Sequence, residues 1–219
     1  TPRRARLSPW RGIGSAYTTF AAEAFLDEFA EVAGSDPVAM RMQLMRDNSR
    51  GQRILERALE KSDWARKRDG TGLGLAFGHY GGSQGVIVTE IAVDRDSGEI
   101  AVENVWGSFD GGLIISPDNS RAQLEGGVVY GISSALKERI TISDGEVEQS
   151  NFYDYELLRA NEVPPINIYL VEVDAPPTGM GELSTPIVAP AIANAFHALT
   201  GRRLRHMPFT PDRVLAALA

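Results

Sequence analysis

The order of hydrophobic patterns along the chain predicts an α+β fold, in which mixed or antiparallel sheet segments pack against helices. Apolar residues recur at helical spacing in the first part, alternate like strands in the middle, and form a long helical stripe after that. Hydrophobic residues are 43% of the 219 residues and charged residues 23%, which supports a packed core. The sequence therefore predicts a folded domain, with a loop and helices over 1–70 and the α+β part over 71–219.

Apolar residues at helical spacing predict three helices in the first part of the chain. Gly34 can end the first, while Asp36 and Pro37 offer an N-cap and a first residue for the second. The third covers Gln52–Trp64. Their apolar faces hold Phe25, Leu26, Phe29, Val32 and Ala33 in the first, Val38, Met42 and Met45 in the second, and Ile54, Leu55, Ala58 and Leu59 in the third.

The middle of the chain changes to a strand period and then to a long helix. The predicted hairpin consists of a strand over 86–93, a turn over Asp94–Gly98 and a strand over Ile100–Phe109. Ser116 and Pro117 then open a helix whose apolar stripe runs over Leu124–Leu136. Gly126 and Gly127 lie inside this helix. Each costs a helix about 1 kcal/mol relative to alanine, so the pair indicates close packing or a ligand.

The last part of the chain alternates between turns, one strand and helices. Its elements are a short hairpin around Asp144-Gly145, a strand over Ile166–Val173, a Pro/Gly loop over Pro176–Gly181, a helix from Pro186 or Pro190 to Thr200, and a short helix capped by Thr210-Pro211. The longer helix carries a small-residue face of Ala191, Ala195 and Ala198, which permits close packing.

Composition excludes several classes of function. The chain has no cysteine, which rules out disulfides, thiolate nucleophiles, cysteine zinc sites and iron–sulfur clusters held by the chain itself. Its three histidines, His79, His197 and His206, lack metal-ligand spacing. No apolar run reaches the length of a membrane span, and a net charge of −7 disfavours a surface for nucleic acid or anionic membrane. The short basic start formed by Arg3, Arg4 and Arg6 is interpreted as a solvated or partner-facing arm.

The stretch Gly179-Met180-Gly181-Glu182 is the most suggestive local feature. It places a carboxylate directly after a Gly-x-Gly turn, between a strand and the start of a helix, where ligands are often approached. Glu182 could act there as a general base. The alternative is that it complements the positive N-terminus of the next helix. Arg11 lies in a glycine-flanked loop and could bind a phosphate or carboxylate, or could be an ordinary surface arginine.

Six stretches taken together resemble one protein family. They are Pro9-Trp10-Arg11-Gly12-Ile13-Gly14, Ala24–Glu28 with Asp36-Pro37-Val38, Thr89–Asp94, Gln123–Gly131, Glu148–Phe152 with Asp154-Tyr155, and Gly181-Glu182 with Ala189–Ala195. In this order they are similar to the molybdopterin-binding subunit of the xanthine oxidase/aldehyde oxidoreductase family, and to its isoquinoline 1-oxidoreductase branch. The resemblance covers nearly the whole chain.

This resemblance implies that the chain is the C-terminal portion of a larger molybdopterin-binding domain. The whole enzyme would be a molybdenum hydroxylase that oxidises an aldehyde or an N-heterocycle, with water as the oxygen donor. Its cofactor would be molybdopterin in the cytosine dinucleotide form, and the remainder of the molybdenum subunit would be a partner. Electrons would pass to [2Fe-2S] clusters on a partner chain, because no cysteine is present here.

The resemblance also assigns roles to individual positions. The family's base beside molybdenum falls on Glu182, which follows Gly181. Cofactor-binding positions fall on Arg11, Gly12, Gln123 and Gly126, together with Gly181. Positions that often carry substrate-stacking aromatics fall on Ile13 and Gln84, and Leu183 stands where the family often has proline. No protein residue is expected to bind the metal. The alternative is a non-catalytic scaffold or interaction domain that keeps the fold without the cofactor.

Overall fold

A computed structural model describes residues 8–219, so the basic start with Arg3, Arg4 and Arg6 lies outside the described residues. The helices are α1 (Ser15–Val32), α2 (Pro37–Leu44), α3 (Ser49–Lys61), α4 (Pro117–Leu136), α5 (Thr185–Thr200) and α6 (Pro211–Leu218). The strands are β1 (Gly72–Tyr80), β2 (Ser83–Val93), β3 (Ile100–Asp110), β4 (Ile142–Ser143), β5 (Glu146–Val147) and β6 (Ile166–Leu170). This combination of helices and strands confirms the predicted α+β class.

The main sheet has four strands in the order β1-β2-β3-β6. The strands β1 and β3 both run antiparallel to β2, whereas β6 lies parallel to β3. The predicted hairpin of β2 and β3 is confirmed, with a register shift between Glu90 and Ile91. The short β4–β5 hairpin forms a separate pair. The sheet is therefore mixed, as the sequence predicts.

Helices cover both faces of the main sheet and form two apolar clusters. The helix α5 packs against β1 and β2 on one face, with α4 and α1 against α5. The helix α3 packs against β2 and β3 on the other face. Ile87, Phe109 and Ile192 belong to the cluster on the α5 side, while Leu55 and Val88 belong to the cluster on the α3 side. Within residues 8–219, no helix is both long enough and apolar enough to span a membrane.

The strand β1 was not predicted, and its glycines allow it to pack closely against α5. A Cβ atom on Gly74 would collide with the backbone of Ala191 and Ala195 on α5. The glycine therefore lets a strand and a helix approach more closely than side chains would allow. Ala191 and Ala195 of the predicted small-residue face are fully buried, whereas Ala198 is exposed and does not take part in this packing.

The apolar stripe of α1 faces solvent, although such a stripe on a helix usually faces the core. Phe25, Phe29 and Val32 are 66%, 48% and 82% exposed. The inward face of α1 instead carries the buried carboxylates of Glu23 and Asp27.

The reason for this reversal is Arg41 of α2, which is only 1% exposed. Its guanidinium donates to the carboxylates of Glu23 and Asp27, at 3.0 Å in each case. A buried arginine needs charged partners. The helix was therefore predicted correctly, and the identity of its packed face follows from an ion pair that periodicity does not reveal.

Candidate active site

Arg11 joins three distant parts of the chain. Its Nε donates to the carbonyl oxygen of Gly181 at 2.7 Å. Its Nη2 donates to the carbonyl oxygen of Gln123 at 2.8 Å and to the Gln123 Oε1 at 3.3 Å. The opening loop (residues 8–14), α4 and the loop that carries Gly181 and Glu182 thus meet at one guanidinium, and we call this meeting point the Arg11 junction. The rigid fork of donors of an arginine suits such a junction. Three of the sequence-predicted site residues are brought together in this way.

A tight turn fixes the backbone on both sides of Arg11. The N–H of Ile13 donates to the carbonyl of Trp10 at 2.8 Å, and the N–H of Ser15 donates to the carbonyl of Gly12 at 2.9 Å. Gly12 has φ +91°, and a Cβ on it would lie 2.9 Å from the Cγ of Pro186. Glycine is required here both for the backbone conformation and for space.

The ring of Tyr130 on α4 supports the same guanidinium. The Arg11 Cζ lies 5.4 Å from the centre of the Tyr130 ring, within the range of a cation–π contact. The Trp10 ring packs against Tyr130 with a centroid distance of 5.8 Å. Aromatic contacts as well as hydrogen bonds therefore attach the opening loop to α4.

Glu182 is held in place by its neighbours in sequence. Leu183 is buried in the core at 1% exposure. The hydroxyl of Ser184 donates to the carbonyl of Leu124 at 2.9 Å, and the hydroxyl of Thr185 donates to the carbonyl of Gly127 at 2.9 Å. These bonds fix the chain just after Glu182 against α4.

The Glu182 side chain itself is uncommitted within the described part of the chain. The residue is half-buried. Among residues 8–219 its carboxylate takes part in no hydrogen bond or ion pair, and α5 has no side-chain cap at Ser184. The carboxylate therefore makes no capping hydrogen bond to α5 among these residues, and an electrostatic interaction with the helix N-terminus would need none. The carboxylate is left available for a ligand.

The two glycines inside α4 have different surroundings. A Cβ on Gly127 would collide with the hydroxyl of Ser184, so this glycine serves close packing between α4 and the start of α5. A Cβ on Gly126 would have only the Arg11 Nη1 nearby, at 3.6 Å. Both glycines therefore adjoin the guanidinium of Arg11, whose Cζ would lie 3.4 Å from a Cβ on Gly127.

A cavity of about 270 Å³ adjoins this junction. Gln123 and Gly181 contribute to its wall, together with polar side chains of the first turns of α4 and apolar side chains of two loops. The lining residues are Gly111, Leu113, Ile114, Ile115, Ser116, Asn119, Ser120, Gln123, Pro177, Thr178, Met180 and Gly181. A partly apolar wall with a few polar groups is typical of a small-molecule site.

Two predicted pocket residues lie apart from this cavity. Ile13 is 55% exposed with φ +49° and lies beside Arg11, but it does not line the cavity. The Gln84 Oε1 accepts a hydrogen bond from the Asn48 Nδ2 at 2.7 Å, next to the start of α3. The structure does not bring Gln84 to the Arg11 junction. The assignment of these two residues to a substrate pocket stays a prediction.

Sequence reasoning missed one buried pair behind the cavity. Asp110, at the end of β3, accepts two hydrogen bonds from Arg50 at 2.6 and 2.8 Å. Burial alone would raise the pKa of Asp110, but the hydrogen bonds from Arg50 and from the N–H of Gly112 hold it below its usual value. The carboxylate is therefore ionised at neutral pH. No local motif signals this pair, because its members are 60 residues apart.

The sequence and the fold of the chain both match a known family. The sequence model of the molybdopterin cofactor-binding domain family matches residues 13–164, which is more than half of the chain. The chain belongs to this family. Its fold matches the aldehyde oxidoreductase from Desulfovibrio desulfuricans ATCC 27774 with a TM-score of 0.79 at 18% identity, over 96% of this chain and 41% of that one. At this identity the match concerns the fold.

Two curated relatives are more informative about sequence. The chain is 38% identical to the beta subunit of isoquinoline 1-oxidoreductase from Brevundimonas diminuta, over 96% of this chain and 28% of that protein. It is 32% identical to a subunit of nicotinate dehydrogenase from Pseudomonas putida, over 97% of this chain and 20% of that protein. These matches confirm the resemblance to the molybdopterin-binding subunits of the xanthine oxidase family. The chain spans less than a third of the length of either relative.

Proposed function

We propose that this chain supplies the base-bearing part of a molybdenum hydroxylase, which oxidises an aldehyde or an N-heterocycle with water as the oxygen donor. The relatives are molybdenum oxidoreductases of aldehydes or N-heterocycles. The observation that carries the proposal is the Arg11 junction. It holds Gly181 and Gln123 together and leaves the neighbouring Glu182 carboxylate without a protein partner among residues 8–219.

The residues at the junction fit a molybdopterin cofactor. A Cβ built on Gly181 would have no atom closer than the Gln123 Oε1 at 4.0 Å, so a bound group can approach this backbone. No three His, Asp or Glu side chains in residues 8–219 are grouped as metal ligands, and a metal held by its own pterin cofactor needs none. When bound, the cofactor, in its cytosine dinucleotide form, supplies the redox centre.

Each junction residue has a role in this proposal. Glu182 accepts a proton at its carboxylate as a general base. Arg11, with Gly12 at the turn behind it, fixes the carbonyl of Gly181 and thereby the backbone that carries Glu182. Gln123 offers its amide at the cavity wall, and Gly126 lies on α4 beside the guanidinium of Arg11. Ile13 and Gln84 border the substrate in the assembled enzyme.

The remaining parts of the enzyme come from elsewhere. Electrons leave through [2Fe-2S] clusters on a partner chain, because this chain has no cysteine to hold a cluster. The remainder of the molybdenum subunit completes the cofactor site, in line with the much greater length of the relatives. We therefore expect the 219-residue chain alone to be inactive.

The test is Glu182→Gln in the complete enzyme that contains this chain. General base catalysis contributes about 10²–10⁴ in rate, so turnover should fall at least about 100-fold while the molybdenum content stays normal. The matched control is Glu103→Gln, which makes the same change of charge at an exposed position on β3 and should leave turnover unchanged.

Two results would contradict the proposal. Near-normal turnover of the Glu182→Gln variant would remove Glu182 as the base. A stable native complex that contains neither molybdenum nor iron by elemental analysis would make the chain a non-catalytic scaffold with the fold of an enzyme.

A further inference from the structure

The buried ion pair of Arg50 and Asp110 lies outside the junction described above. The Asp110 side chain is completely buried, and the Arg50 side chain is 32% exposed. The guanidinium contacts both carboxylate oxygens, through Nε at 2.6 Å and through Nη2 at 2.8 Å. Such a two-pronged pair fixes orientation as well as distance. No hydrogen bond joins Arg50 or Asp110 to Arg11, Gln123 or Gly181, so the pair needs its own explanation.

Asp110 transmits this fixed orientation to the turn that follows β3. Its Oδ1 also accepts the N–H of Gly112 at 2.8 Å. Gly112 has φ +73°, and a Cβ on it would collide with the carbonyl of Pro176. The Gly111-Gly112 turn is therefore held from behind by the carboxylate and lies directly against the Pro/Gly loop.

Backbone hydrogen bonds connect this turn to the loop that leads to Glu182. The N–H of Thr178 donates to the carbonyl of Gly111 at 2.9 Å, and the N–H of Leu113 donates to the carbonyl of Ala175 at 2.9 Å. A Cβ on Gly111 would lie 2.7 Å from the Sδ of Met180, so the Met180 side chain packs on this glycine. Met180 is two residues before Glu182.

A second contact holds the same loop to the sheet. The hydroxyl of Ser83, which is fully buried, donates to the carbonyl of Gly179 at 2.7 Å and lies 2.7 Å from the hydroxyl of Thr178. Ser83 begins β2, next to the end of β3 in the sheet. The Pro/Gly loop is thus attached to one corner of the sheet at Thr178 and Gly179, and Arg11 holds its last residue, Gly181.

We propose that the Arg50–Asp110 pair is a positioning device, which sets the location of Glu182 through the Gly111-Gly112 turn and the Pro/Gly loop. The inference rests on the proposed function, because it assigns Arg50 and Asp110 to the site of the same base. The pair acts through the backbone of the loop, and neither residue touches the reacting atoms. An ion pair that served only the global stability of the fold would, when removed, accelerate exchange in the centre of β2 as much as in the loop.

Hydrogen exchange of the 219-residue chain, followed by mass spectrometry, separates the two roles. In Arg50→Gln the amides of Gly112, Leu113 and Thr178 should exchange at least about tenfold faster than in the wild type, since charge-assisted hydrogen bonds are the strong ones. Amides in the centre of β2 should change much less. The matched control is Arg205→Gln, which breaks a two-pronged pair with Glu28 at 2.9 Å and should leave these three amides unchanged.

A second variant covers the case in which Arg50→Gln does not fold. Asp110→Asn retains an oxygen for the Gly112 N–H, but it loses the charge and places an NH2 group where Oδ2 accepts the Arg50 Nε. Exchange at the same three amides should therefore rise by at least a few fold. Uniform acceleration over β2, β3 and the loop in the folded variants would overturn the positioning role.

The outcomes also separate this inference from the proposed function. Hydrogen exchange does not require the cofactor. If exchange accelerates only at the three loop amides and the Glu182→Gln enzyme turns over normally, the positioning role of Arg50 and Asp110 is retained and Glu182 is rejected as the base. If exchange accelerates uniformly in the Arg50 and Asp110 variants and Glu182→Gln loses most of its turnover, Glu182 is retained as the base and the positioning role is rejected.

Discussion

Replacing Arg41 by methionine should strongly destabilise the fold. Arg41 is 1% exposed and donates to Glu23 and Asp27 at 3.0 Å and to the carbonyl of Pro37 at 3.1 Å. The side chains of Glu23 and Asp27 are only 10% and 12% exposed, so the substitution leaves two carboxylates buried without a cation. Removing one partner of a buried ion pair typically costs about 3–5 kcal/mol.

This cost translates into a large shift of the melting temperature. For a chain of this size, each kcal/mol corresponds to about 2–4 °C, so we expect the Tm of Arg41→Met to fall by about 6–20 °C. The measurement is thermal unfolding by circular dichroism at pH 7.5, with urea unfolding as a second measure of the free energy. A Tm within about 2 °C of the wild type would refute the argument.

A compensated variant tests whether the buried charges are the cause. In Arg41→Met/Glu23→Gln/Asp27→Leu no charge remains at this position, and the glutamine oxygen can still accept the N–H of Phe77, which Glu23 accepts at 2.9 Å. Replacing a whole buried ion pair by neutral residues is often neutral in stability. We expect this triple variant to recover most of the loss. A triple variant as unstable as Arg41→Met would mean that lost packing, rather than charge, causes the effect.

Two further predictions concern packing and pH. Gly126→Ala should stabilise the chain by up to about 1 kcal/mol, since the nearest atom to a new Cβ is 3.6 Å away. Gly131→Ala should destabilise the chain by about 1–3 kcal/mol, because its Cβ would lie 2.6 Å from Val188. Urea unfolding of both variants checks the opposite signs. Burial, and then the charge of Arg203, lower the pKa of His197 from 6.5. The unfolded chain therefore takes up this proton first, and stability should decline as the pH falls below about 6.5. Unfolding of His197→Gln at pH 7.5 and 5.5 should show a smaller decline, and an equal decline would argue against His197 as its source.

Local signals were sufficient for the elements that depend on short-range contacts. Asp36 caps α2 as predicted, and its Oδ1 accepts the N–H groups of Val38 and Ala39 at 2.9 Å. Pro117 begins α4 where the sequence placed it. Both signals act within four residues, so they are visible in the sequence alone.

Elements that depend on distant partners were missed or misread. The strand β1 contains Gly72, Gly74 and Gly78, and glycine is depleted in strands. These glycines make sense only beside α5, which is more than 100 residues away. The packed face of α1 likewise depends on Arg41, whose burial no periodicity could indicate.

The candidate site likewise contains residues that sequence motifs predict and residues that only the structure reveals. Family motifs pointed to Arg11, Gln123 and Gly181, and the structure brings these three together across separations of 112 and 170 residues. Gln84 was placed by alignment and not by a motif; its Oε1 accepts a hydrogen bond from Asn48, and its role in a substrate pocket stays a prediction. Arg50 and Asp110 carry no motif, so only their geometry reveals them.

The burial of α5 also affects how this segment can change through mutation. The helix begins three residues after Glu182, and 12 of its 16 residues are buried. On a surface helix most substitutions would be silent for a nearby carboxylate. Here a new methyl group between β1 and α5 displaces the helix that Glu182 precedes, so a screen for activity would also select against substitutions deep in the core. We therefore expect some substitutions at Gly74 to permit folding but to abolish activity.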